Sequence, residues 1–79
     1  MSIYFRGQDF IEETETFGVF YQGVVGNWTL FVCRHDVHMW ETNLGHPMMG
    51  HIVRTLGVTP QESLDRMDRA LNDLAKFPA

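Results

Sequence analysis

The residue types with the most chemical capacity sit in the middle of the chain: Cys33, His35, His38, His46 and His51. Thiolate and neutral imidazole are the ligands zinc prefers, and four of them close a structural site. The spacing here, C-x-H-x2-H-x7-H-x4-H, follows no strong zinc pattern. A zinc-binding or metal-stabilised domain using Cys33, His35 and His38 is therefore the alternative expectation, and no cofactor is expected. Nucleophilic catalysis would need Cys33 activated by a base such as His38, with an oxyanion hole beside it. Cys33 follows Phe31 and Val32 in an apolar run, where cysteine behaves as a small hydrophobe. Neither a P-loop nor a dinucleotide-binding glycine pattern occurs. No catalytic residue is expected, and the chain does not read as an enzyme.

A second group is acidic. Asp9, Glu12, Glu13 and Glu15 crowd into residues 8–17 with no base among them, and they account for nearly all of the net charge of −4. Nucleic-acid binders draw much of their affinity from neutralised phosphates and show a basic face. Phe20, Tyr21, Trp28, Phe31 and Trp40 would suit a stacking platform only among lysines and arginines, and Arg34 and Arg6 are all that the neighbouring sequence supplies. Direct nucleic-acid binding is not expected.

The chain of 79 residues, 44% hydrophobic and 13% aromatic, is too apolar for disorder and too short for a second domain, so residues 1–79 read as a single small domain. No apolar run approaches the roughly 20 residues that span a bilayer, so no membrane partner is expected. The first residues lack a signal-peptide layout. One cysteine cannot form an intrachain disulfide, and a cytoplasmic location is expected.

The elements that must position these residues begin with two strands, Phe17–Val25 and Trp28–Arg34, joined by Gly26-Asn27 as a type II′ turn. His35-Asp36 turns into a third strand, Val37–Thr42, and a short strand is expected around Ile3–Phe5. Residues 8–16 extend the first hairpin or form an acidic loop. Pro47–Leu56 reads as a short helix, with Gly57 as its left-handed cap. Thr59, Pro60 and Glu62 then start a longer helix running to Lys76, with an apolar stripe of Leu64, Met67, Leu71 and Leu74. The expected fold is α+β, a three- to four-stranded antiparallel meander followed by a short helix and a longer C-terminal helix.

Residues Ile52 to Leu64 resemble a DNA-binding helix-turn-helix at the turn, through Gly57, Val58 and the Thr59 hydroxyl. The second helix departs from that family. Ser63 stands where an apolar residue belongs, and Glu62, Asp65 and Asp68 would meet phosphates where bases are wanted. A plain helical corner is expected instead.

With Val25 opposite Trp28, the second sheet face carries Phe20, Val24, Phe31, Cys33 and Trp40. Two modest helices cover one face only. The other becomes an interface, with another protein or in a homodimer, unless Phe5, Phe10 and Ile11 fold across it. The sequence thus predicts a small non-catalytic protein-interaction module, with Glu12, Glu13, Glu15, Phe20, Phe31 and Trp40 meeting a basic partner. A nucleic-acid-handling enzyme would be such a partner, the carboxylates standing in for phosphates and blocking its ligand. Phage-type inhibitors such as anti-CRISPR proteins are similar in size and charge, though not in motif.

Overall fold

A computed structural model describes residues 2–72, without the side chains of His51 and Ile52. Six strands run antiparallel in chain order: β1 (Ser2–Phe5), β2 (Gln8–Glu15), β3 (Gly18–Val25), β4 (Trp28–Asp36), β5 (Met39–His46) and β6 (Gly50–Gly57). One helix, α1 (Pro60–Asn72), follows them. The sheet curls into a half-barrel. This corrects the expected α+β meander with two helices: the domain is mostly sheet.

The expected short helix over Pro47–Leu56 is a β-hairpin. Met48 and Met49 are exposed at its tip, and β6 pairs with β5 from His46↔Gly50 to Trp40↔Gly57. Short apolar runs fit a helix stripe and a strand equally well by spacing. Two features decide for the strand. Gly50 takes a positive φ of 71°, which suits a hairpin turn and not a helix interior. Ile52, Val53 and Thr55 are β-branched and favour the pleated surface. Gly57 is not a left-handed cap either. It ends β6 where the helix start comes very close, so that a Cβ would lie 2.4 Å from the Ser63 nitrogen. With a strand before that turn, the helix-turn-helix resemblance has no first helix.

The β3–β4 hairpin has the expected register, from Phe20↔Cys33 to Val25↔Trp28. The undecided segment 8–16 is strand. β2 changes partner midway, pairing Gln8–Ile11 with β1 and Glu12–Glu15 with β3. The ring of Phe10 fills the splay between β2 and β3, lying where a Cβ on Gly23 would be.

The core lies in the concave face under α1. Leu64, Met67 and Leu71 pack there with Ile3, Phe5, Phe10, Tyr21, Leu30, Val32 and Leu44. The stripe residue Leu74 and the expected helix end at Lys76 fall outside the described residues. Thr59 caps the helix, its Oγ1 accepting the Glu62 N–H at 3.0 Å, while Glu62 Oε1 accepts the N–H of Val58 at 3.2 Å. The box closes one residue further back than the standard pattern.

Helix α1 also ties down both ends of the open sheet. On β1, Gln61 accepts the Tyr4 N–H at 2.8 Å and donates to the Tyr4 carbonyl at 2.9 Å. Its amide thereby stands in for a neighbouring strand at an edge that would otherwise invite pairing. Arg6, in the β1–β2 turn, reaches Asp68 at 2.7 Å and Asn72 at 2.9 Å. On the β6 side, Thr55 donates to the Ser63 carbonyl at 2.7 Å. Ser63 commits its hydroxyl proton to the Pro60 carbonyl, so Thr42 is the donor in the buried 2.7 Å Thr42–Ser63 bond. Among the described residues no helix is long and apolar enough to cross a membrane.

Candidate functional site

Since α1 fills the concave face, the convex face is the one to which no element is docked among the described residues. Side chains alternate along each strand, and the register places two rows on that face. One runs Glu13, Phe20, Cys33, Glu41, and the other Gln22, Phe31, Asn43, Arg54. Phe20 lies between two other rings, 5.3 Å from Phe17 and 5.2 Å from Phe31, the second pair nearly parallel at 23°. Offset stacks of this kind hold together beyond their area burial. Phe20 is buried by them, whereas Phe17 at the end of the ladder is 67% exposed. Ile11 and Val24, also on this face, are similarly open. Phe5 and Phe10 do not fold across it, since both sit in the concave core.

The expected site residues divide. Phe20 and Phe31 stack as the register implied. Trp40 does not join them. A bulge between Arg34 and Asp36 lengthens the β4–β5 turn, so Cys33 meets Glu41 rather than His38, and Phe31 meets Asn43 rather than Trp40. Each pairing has slipped by three residues, and an odd slip moves every side chain to the other face. Trp40 therefore packs on the concave side, 6.3 Å from Tyr21 and beneath Arg34 at 4.6 Å. The acids divide as well. Glu13, beside Phe20, and Glu15 face outward, while Glu12 lies on the inner side and accepts the Tyr21 hydroxyl at 3.2 Å.

The same slip replaces the expected Cys33–His38 pair with a cluster around Glu41. Its carboxylate accepts from Asn43 at 2.6 Å, bonds His35 Nδ1 at 2.9 Å and lies 3.9 Å from Arg54. Burial pushes this carboxyl up, but the bonds from Asn43 and His35 and the charge of Arg54 outweigh it, and the group ends below its ordinary value. Burial also pushes the Cys33 thiol up, and the charge of Glu41 and a hydrogen bond to it push it further. The thiol is thus harder to ionise, whereas a nucleophile or metal ligand acts as the thiolate. His38 is in the turn, its backbone N–H bonded to Asp36 Oδ1 at 2.8 Å. His46 is in edge contact with Trp28, 4.9 Å away, and its Nδ1 accepts the Met48 N–H. Among the described residues no three His, Cys, Asp or Glu side chains are arranged to hold a metal ion.

Glu41, Asn43, Arg54 and Phe17 were not expected at the site. The alternation of β5 and β6 would have placed the first three outward, had Pro47–Leu56 been recognised as a hairpin arm. No protein-family model, curated protein or solved structure matches this chain.

Proposed function

We propose that this chain is a non-catalytic protein-interaction module that docks a partner on its convex sheet face. The observation that carries this is the Phe17–Phe20–Phe31 ladder, ending in an exposed ring, on the face opposite the helix and directly beside Glu13. An exposed aromatic rimmed by polar groups is the composition of an interface centre. At about 25 cal/mol per Å², covering a few such side chains contributes several kcal/mol to binding.

The partner that fits has an apolar centre flanked by lysine or arginine. Glu13 and Glu15 stand two strand positions apart on the same side, roughly 6.6 Å along the chain, and attract such a surface before contact. A nucleic-acid-handling enzyme answers this description, and a carboxylate pair seated in its phosphate sites would block its ligand. A second copy of this chain would bring carboxylates against carboxylates, which favours a foreign partner over a homodimer. The free thiol of Cys33 suits a reducing compartment such as the cytoplasm.

Affinity capture from the native host with the immobilised chain and its Phe17→Ser variant tests this. Phe17 is 67% exposed, so the variant stays folded and loses only its stack on Phe20, about 0.5–1.5 kcal/mol. The expected result is a protein retained by the parent and lost with Phe17→Ser. Equal capture by both would place the contact elsewhere.

A further inference from the structure

At the end of the sheet where β2 turns into β3 and β4 into β5, a notch of about 420 Å³ opens, lined by Phe17, Gly18, Val19, Cys33, Arg34 and Trp40. Arg34 is the one charged residue in that lining, and Phe17, Val19 and Trp40 supply apolar surface. The Arg34 guanidinium carbon sits over the Trp40 ring, 4.6 Å from its centroid, and one of its N–H groups donates to the Val37 carbonyl at 3.1 Å. Arg6, Arg54 and Arg66 each have a carboxylate within 4 Å. For Arg34 no such partner occurs among the described residues. A guanidinium carries five donors in a rigid fork matched to a carboxylate. Here the ring below and the carbonyl bond hold that fork in place before any ligand arrives, which lowers the entropy lost on binding.

We propose that this notch binds a carboxylate carrying an aromatic or branched apolar body, the carboxylate paired with Arg34 and the body seated between Phe17, Val19 and Trp40. One delocalised monocation suits a monoanion. Inorganic phosphate is better served by a second cation, and among the lining residues Arg34 is the one cation. The apolar walls give the rest of the ligand a surface to cover, so the acid and its hydrophobic body are both required. Two sources share this chemistry: a free aromatic acid, and the last residue of a protein chain with an apolar side chain and a free C-terminus. This inference shares Phe17 with the convex-face reading but is tested through Arg34, which that reading does not use, so the two can fail separately.

Titration of the ¹⁵N-labelled protein with phenylacetate tests it. The expected result is saturable shifts confined to the Gly18, Val19 and Arg34 amides and the Trp40 indole. Phenylacetamide, which keeps the ring and loses the charge, is expected to bind roughly tenfold more weakly, as is phenylacetate with Arg34→Gln. Arg34→Lys keeps the charge without the fork and is expected to weaken binding several-fold. The spectrum itself reports whether each variant is folded. Acetyl-Gly-Phe with a free carboxylate separates the sources: tighter binding than phenylacetate assigns the notch to chain ends, and weaker binding assigns it to free acids. Equal affinity for acid and amide, binding unchanged in Arg34→Gln and Arg34→Lys, or shifts that do not centre on the notch would overturn the proposal.

Discussion

Glu41 organises the convex face at the scale of single residues, and two expected outcomes depend on it. Its carboxyl lies below the ordinary value in the folded chain. A group with a depressed folded pKa stabilises the fold above its unfolded pKa, and that contribution is lost as pH falls through the folded pKa. Glu41→Gln should therefore melt below the parent near neutral pH, and the gap should close as the solution is acidified past the ordinary carboxylate range. Thermal melts across that interval measure it, and a constant gap would mean that the interactions with His35, Asn43 and Arg54 are immaterial to stability. Glu41 also adds, after burial, to the upward push on the Cys33 thiol. Alkylation of Cys33 by iodoacetamide should need more alkaline solution than free cysteine does, and Glu41→Gln should shift its profile back toward neutral. That Cys33 sits within a strand was legible in the sequence from its apolar neighbours. That Glu41 is its partner was not, because the pairing depends on a bulge after Arg34 that residue types alone do not mark.

At the scale of elements, the turn chemistry and the last helix were legible, and partner switching was not. Gly26-Asn27 and the Thr59–Glu62 cap are local signals, complete within four residues, so they survive whatever surrounds them. Leu71 is fully buried as its place in the stripe implied, and Leu71→Ala should cost about 2–5 kcal/mol against about 1 kcal/mol for Thr59→Ala. The strand at 8–15 had no such signal. Its acids alternate poorly with Phe10 and Ile11, and its conformation is set by where Phe10 finds space. That space exists because residue 23 is glycine. Gly23→Ala puts a methyl inside the Phe10 ring, and overpacking of this kind typically costs about 1–3 kcal/mol. Phe10→Leu alone should also destabilise, yet in the Gly23→Ala background it should cost much less. A double-mutant cycle read by urea denaturation gives the coupling, and strict additivity would mean the two side chains do not compete for one volume.

For the whole molecule, strand order follows chain order, so each pairing is a local hairpin, and the sheet could be assembled from the sequence one turn at a time. What misled the sequence reading was the count of helices. Without the expected short helix, β6 joins the sheet and a single helix serves as core, cap and edge guard together. Met67 packs into the core, Ser63 bonds to Thr42 and Thr55, and Gln61 covers the β1 edge. The convex face is left with its phenylalanine ladder, the acids Glu13 and Glu15, and the group in which Glu41 meets His35, Asn43 and Arg54. The division of those acids makes the functional account specific, since Glu13 and Glu15 point toward the proposed partner and Glu12 points at Tyr21. The most direct measurement is the association rate with a captured partner at low and moderate salt, compared between the parent, Glu13→Gln with Glu15→Gln, and Glu12→Gln alone. Neutralising the outward pair should slow association and flatten its salt dependence, and Glu12→Gln should leave both as they are. Unchanged on-rates for the outward pair would contradict the account and leave those carboxylates as a charged edge that keeps the sheet from pairing with its neighbours.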